Sequence, residues 1–319
     1  MRRPQPLLFV LLMACSAAAA RCAVSQPPAL PALPEGNQGI AAKYPGDRGI
    51  EADPAVLFHE DFESDDLRSK WDNTFQKAGI RIAGEPENVH GGKRALEFTV
   101  SKQQAELSNG VAKEFGNGQD VVFLRYYSKF EKGFDQVASS HNGGILQARA
   151  PGVAFSTPGI RADGRNKFIV SFENWRGSAA TASPGELNVY CYHPEQRSEY
   201  GDHFFPSGKV LPYTARPGDF GPDFVARPDI IPELGRWHCF ELMVKANTPG
   251  QRDGRIACWL DGKLIADFPN LRLRDVDTLK INSASLCLHI RSNTIRENKK
   301  WYDDAVVATS YIGPVTEAR

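Results

Sequence analysis

From residue 56 onward apolar and polar positions alternate in short runs bounded by turn residues. In 93–100 (KRALEFTV), Leu96, Phe98 and Val100 share one face, the period-2 signature of a half-buried strand. Residues 120–130 (DVVFLRYYSKF) are dense in β-branched and aromatic side chains, which fit a pleated surface. Residues 167–172, 187–192 and 237–245 repeat the habit, with Phe240, Leu242 and Val244 on the core face of the last. Two apolar runs, 255–260 and 263–268, flank Asp261-Gly262, the dipeptide of a type I′ hairpin. Leu286, Leu288 and Ile290, then residues 305–312, supply the final strands, and a first strand begins near Val56. Short stretches at 65–70 and 232–234 predict helical turns, but no 3.6-residue period runs long enough for a real helix, and no repeat is visible. Many short strands without helices predict an all-β sandwich, jelly roll or barrel. The first and last strands are expected to be neighbours.

The first 55 residues follow another pattern. Arg2 and Arg3 precede a short apolar run at 7–13 and a small-residue tract at 14–20, so residues 1–25 predict a secretory signal peptide. The run is too short to span a bilayer, and no other stretch could do so. Leu12-Met13-Ala14-Cys15 is a loose lipobox, which leaves a lipid anchor at Cys15 as the alternative to plain cleavage. The mature chain is therefore expected to be secreted, periplasmic or held at the cell surface. Residues 26–55 are rich in Pro, Gly and Ala, lack a hydrophobic period and predict a flexible linker, leaving 56–316 as the folded domain.

Composition narrows the function. The 319 residues carry 38 basic and 38 acidic side chains, a net charge of zero, which gives no electrostatic basis for binding nucleic acid or an anionic membrane. Export permits disulfides among Cys191, Cys239, Cys258 and Cys287 in three pairings. The favoured alternative is four buried thiols, because a domain of this size does not need staples. No Cys/His spacing indicates zinc.

An ordered series of motifs stands in the second half: Gly235-Arg236-Trp237, Asn247-Thr248-Pro249-Gly250-Gln251, Asp253-Gly254-Arg255-Ile256, Trp259-Leu260-Asp261-Gly262, Arg272-Leu273-Arg274-Asp275 and Trp301-Tyr302-Asp303-Asp304. Tyr190-Cys191-Tyr192-His193-Pro194 and Gly201-Asp202 precede it. Together they resemble the alginate and glucuronan lyases built on the concanavalin A-like jelly roll, over roughly residues 141–314. The resemblance implies two stacked antiparallel sheets, with an acidic polysaccharide lying across the concave one.

Uronate β-elimination removes a weakly acidic C–H proton beside the sugar carboxylate and expels the glycosidic oxygen. It needs a group that neutralises the carboxylate, a base and an acid. Tyr190 and Tyr192 stand two apart on a strand and share a face; they match the Tyr-x-Tyr pair that the resemblance implies is catalytic, and an aromatic pair stacking on sugar rings is the alternative. In Ser140-His141-Asn142-Gly143-Gly144, with Gln147 and Arg149 following, His141 can serve as base or carboxylate partner and Arg149 can neutralise a uronate. Asn142, Gln147, Ser171, Glu173, Trp175, His203, His289 and Arg291 complete the expected substrate-binding set. Where the resemblance implies an arginine beyond Ser171, this chain has Glu173, which motivates two alternatives: a non-catalytic glycan-binding or cell-surface module, and, more weakly, hydrolysis using Glu173. No cofactor is required. A structural calcium could draw on Glu60 and Asp304, with Asp61, Glu63 and Asp303 nearby, against the reading of ordinary exposed acids at strand ends.

Overall fold

The computed structural model describes residues 30–75, 77–137, 140–212, 218–291 and 295–317; the expected signal peptide and Cys15 lie outside them. Numbered in chain order, the strands are β1 (Val56–Glu60), β2 (Asn73–Phe75), β3 (Ile80–Ala83), β4 (Ala95–Val100), β5 (Leu107–Gln119), β6 (Val121–Phe130), β7 (Ser140–His141), β8 (Gly144–Arg149) and β9 (Lys167–Trp175). They continue with β10 (Glu186–Tyr192), β11 (Asp202–Phe204), β12 (Val210–Leu211), β13 (His238–Lys245), β14 (Gly254–Leu260), β15 (Lys263–Leu271), β16 (Ile281–Ile290) and β17 (Asn298–Ala308). One sheet has eight strands, in the order β15-β14-β13-β6-β17-β4-β3, with β1 also on β17. The other has nine, in the order β12-β11-β10-β9-β8-β16-β5-β2, with β7 also on β16. Every pairing is antiparallel, and the first and last strands are neighbours as expected. The fold is all-β, as the alternation predicted, and is the jelly-roll sandwich of two antiparallel sheets that the resemblance implied.

Alternation explains which side chains meet. Along β9, Phe168, Val170 and Phe172 enter the core between the sheets, while Lys167, Ile169, Ser171, Glu173 and Trp175 take the opposite side. Along β10, Leu187, Val189 and Cys191 are inward, which puts Asn188, Tyr190 and Tyr192 outward. The β14–β15 turn has Asp261 at φ 51° and Gly262 at φ 76°, the paired left-handed residues that a type I′ turn demands. Cys191, Cys239, Cys258 and Cys287 are free and buried, and exclusion from water favours the thiol in each. A short 3-10 turn forms at Leu67–Ser69, capped by the Asp66 carboxylate, whereas 232–234 is irregular. The long strand β5 had no sequence expectation, because its Gly-rich polar run GNGQ hides the period.

The expected linker is the main correction. From Leu33 the described residues belong to the same packed unit as the strands. Residues 40–52 form three 3-10 turns whose Ile40, Ala41 and Ile50 join Phe123, Met243, Ala257, Trp259, Tyr311 and Ile312 in a second apolar cluster on the outer face of the eight-stranded sheet. Trp259 Nε1 donates to Pro34 O at 2.8 Å, and Ile40 N and Ala41 N donate to Tyr311 O and Ile312 O at 3.0 and 2.9 Å. Asp47 is buried against Arg125. The Pro and Gly residues make tight turns here, and turns of three or four residues carry no readable period.

Candidate functional site

The outward side chains of β7, β9, β10, β11 and β16 converge at one end of the nine-stranded sheet. Register sets the rows: His289 lies opposite His141, Ser171 opposite Tyr190, Glu173 opposite Asn188, and Tyr190 opposite His203. The rings form a continuous row. Centroids are 5.3 Å apart for His289 and His141, 4.7 Å for His141 and Tyr190, 4.7 Å for Tyr190 and His203, and 4.5 Å for His203 and Trp175. Behind the row is Glu173, with no side-chain exposure at all.

Glu173 organises the charge. Its Oε2 faces His141 Nδ1 at 2.9 Å and accepts the Ser171 hydroxyl at 2.8 Å. Its Oε1 meets no hydrogen-bond donor among the described residues; His203 Nδ1 is 3.9 Å away. Burial pulls His141 toward the neutral form, but the Glu173 carboxylate overcomes it and holds the imidazole above its ordinary value of 6.5. The other two histidines go the opposite way. Burial, which outweighs the attraction of Glu173, lowers His203 to about 4. Burial, reinforced by the nearby His141, lowers His289 to about 4. Glu173 thus favours the cationic form of His141, while His203 and His289 in the same row are neutral at neutral pH.

The tautomer of His203 is fixed by its neighbour. Asn188 Nδ2 donates to Glu173 O and Glu186 O, so its Oδ1 is the acceptor that faces His203 Nδ1 at 2.8 Å. Nδ1 therefore carries the proton and Nε2 the lone pair. The Tyr190 hydroxyl accepts from Gly201 N at 3.1 Å, and burial followed by the neighbouring Tyr192 pushes it well above the ordinary tyrosine value. It is a neutral phenol that can donate a proton.

The remaining expected residues divide. Tyr192 shares the face with Tyr190, but its ring is buried, with Lys167 Nζ 4.3 Å from its centroid. Lys167 donates to Thr157 O at 2.9 Å, and burial lowers it to about 8. Gln147 is on the same face, in the row of Ser283 and Ile169, with Oε1 buried and lacking a partner among the described residues. Arg149 does not join the cluster. It lies opposite Lys167, and the run from Lys167 to Glu173 spans roughly 20 Å at strand rise. There it pairs with Glu114 at 2.9 Å, beside a cleft of about 380 Å³ lined by Pro151, Val153, Lys280 and Asn282. Asn142 is not a substrate contact: fully buried, it binds Asn174 N through Oδ1 at 3.0 Å and Asn174 O through Nδ2 at 3.3 Å. Arg291 is exposed just past the end of β16.

The expected calcium ligands are engaged separately. Glu60 Oε1 accepts from Phe62 N at 2.9 Å and lies 3.4 Å from Lys70. Asp304 faces His90 Nδ1 at 2.6 Å, while Asp303 accepts from His90 N and Gly91 N and is raised to about 8 by burial and then by Asp304. Among the described residues no group of three or more His, Cys, Asp or Glu side chains is disposed to hold a metal.

Two participants carried a signal that the sequence reading did not use. Asn188 is two positions before Tyr190, and Lys167 four before Ser171, so strand period alone puts both on the site face.

No family model and no curated protein matches the chain. Solved structures do. A variant of alginate lyase Aly36B in complex with an alginate trisaccharide superposes with a TM-score of 0.56 at 17% identity, over 81% of this chain and 99% of that one. The alginate lyase from Aplysia kurodai gives 0.57 at 13%, over 80% and 99%. The endo-β-1,4-glucuronan lyase from the fungus Trichoderma reesei gives 0.51 at 16%, over 80% and 96%. The chain therefore has the polysaccharide-lyase jelly-roll fold. No helix among the described residues is long and apolar enough to cross a membrane.

Proposed function

We propose that this is an exported protein that cuts an acidic, uronate-containing polysaccharide by β-elimination on the outer face of the nine-stranded sheet. The observation that carries the reading is the ring row from His289 to Trp175 over one buried carboxylate, on a fold shared with alginate and glucuronan lyases. The N-terminal basic, apolar and small-residue series supports export.

The groups divide by protonation state. His141, kept cationic by Glu173, neutralises the sugar carboxylate and lets charge develop on it as the C–H bond breaks. His289, neutral and partly open to solvent, takes the proton. Tyr190, a neutral phenol beside His141, delivers a proton to the departing glycosidic oxygen. Glu173 keeps His141 charged without presenting its own charge to an anionic sugar, since it lies beneath Ser171 and His141. Trp175 and Tyr192 border the row.

The direct test is incubation with alginate, glucuronan and other polyuronates, followed by ultraviolet absorbance of the unsaturated product. Absorbance that grows with the wild type and is lost in His141→Ala and Tyr190→Phe supports the reading; no product from any polyuronate rejects it. Glu173, an acid under a site for an anionic sugar, favours the second reading, a glycan-binding module without turnover. Binding without product, unchanged in Tyr190→Phe, would select that one.

A further inference from the structure

The pair at the centre of the site is anchored from the other sheet. Along β17, Lys300 and Tyr302 point between the sheets. Lys300 is 1% exposed, with Phe130, Tyr302 and Phe240 ring centroids 3.9, 4.9 and 5.6 Å from Nζ. Its Nζ donates to the carbonyl of Asn142. A lysine in apolar surroundings is costly, and burial lowers this one to about 7; an apolar side chain of equal length would fill the space more favourably. What the ammonium supplies, and such a side chain cannot, is a grip on Asn142.

Asn142 follows His141 directly, and its amide is locked to both backbone groups of Asn174, the residue after Glu173. Gly143 leaves no slack, because a Cβ there would come within 1.9 Å of Phe172 O. The Tyr126 hydroxyl, also from the eight-stranded sheet, accepts Gly144 N at 2.9 Å. The turn that carries His141 is thus clamped through the core, and Lys300 holds its first carbonyl.

We infer that Lys300 is a positioning residue: by fixing the Asn142 carbonyl through the core, it sets the His141 imidazole against Glu173. Its significance for turnover rests on the function proposed above; its effect on His141 can be measured without turnover.

The test is histidine-resolved ¹⁵N NMR titration of the full mature chain as wild type, Lys300→Met and Tyr302→Phe, with kinetics on a polyuronate beside it. Tyr302→Phe is the control, because its hydroxyl crosses the same core to Cys287 O at 2.6 Å and so reaches the 141–144 turn only at second hand, through Cys287, whose N and Sγ donate to Gly143 O and His141 O. Two effects of Lys300→Met have opposite signs. Losing a nearby positive charge alone raises the His141 pKa, whereas losing contact with Glu173 lowers it. The expected result is a fall of about half a unit or more, with Tyr302→Phe unmoved, and a lower kcat at unchanged KM. A His141 value that stays or rises in Lys300→Met, or that falls equally in Tyr302→Phe, overturns the inference. If Lys300→Met does not fold, Lys300→Arg carries the test: it keeps the charge but relocates the donor, so an unmoved His141 refutes the proposal. Absence of product from the wild type would sink the proposed function while leaving this titration decisive.

Discussion

The outer faces of the two sheets each carry an acid–base pair, and their fates differ. On the eight-stranded sheet, Arg125 and Asp47 form an ion pair with both partners almost wholly sealed, at 0% and 4% side-chain exposure. The 3-10 turns of residues 40–52 and the closing residues 311–316 lie over it, and nearby Glu241 accepts Ile312 N and Gly313 N at 2.8 and 2.9 Å. On the nine-stranded sheet, Glu173 is equally buried but His141 keeps 29% of its side chain open. Both pairs leave polar atoms without a partner among the described residues: Asp47 Oδ1 and Arg125 Nε on one face, Glu173 Oε1 on the other. Unpaired buried atoms therefore do not distinguish a site from a seal. Access does: the same kind of charge pair closes one face and equips the other.

The sharpest way to break this contrast is to open the sealed face. Arg125→Met leaves the Asp47 carboxylate buried without its cation and should cost about 3–5 kcal/mol in chemical denaturation. The double variant with Asp47→Asn should recover much of that; a single-variant cost under about 1 kcal/mol would mean that the face is not sealed. On the open face, Tyr190→Phe should lower kcat on a polyuronate on the order of 10²-fold or more, with the melting temperature nearly unchanged. Equal loss of stability would make Tyr190 a packing residue instead.

Glu173→Gln should act through pH. His141 is raised in the folded state, so its pairing stabilises fully below 6.5 and that contribution is lost as pH rises through the folded value. The variant should remove this decline from a plot of melting temperature against pH; a retained slope would assign it to other groups. The wild-type rate should rise above about pH 4, as His289 becomes neutral, and fall on the alkaline side as His141 loses its charge. The smallest effect is expected from Arg149→Ala, which removes a partly exposed pair with Glu114 worth about 1 kcal/mol or less. It should leave the His141 titration in place; a shift there would bring Arg149 back into the centre.

How far these positions could be read in advance depended on the kind of contact. Tyr190 and His289 follow from strand alternation, because a two-residue period assigns each to the face opposite its apolar neighbours; His141 came from the family resemblance, and His203, expected on a loop tip, lies instead on the short strand β11. Arg149 failed on the same logic: alternation puts it on the correct face but gives no distance along the strand. Asn142 failed because it sits in the irregular step between β7 and β8, where the period lapses. The strap at 40–52 was hidden for a related reason, since its order comes from fitting Ile40 and Ile50 against Phe123 and Trp259 and not from any local repeat.

By itself the sequence determined an all-β fold, the Asp261-Gly262 hairpin and the shared face of Tyr190 and Tyr192, because alternation and turn chemistry are local properties. Tertiary structure alone decided which distant rows meet, that Glu173 raises one histidine while burial neutralises two others, and that Lys300 reaches through the core to Asn142. Those are matters of register between strands and of exclusion from water, and both arise only when the two sheets close on each other.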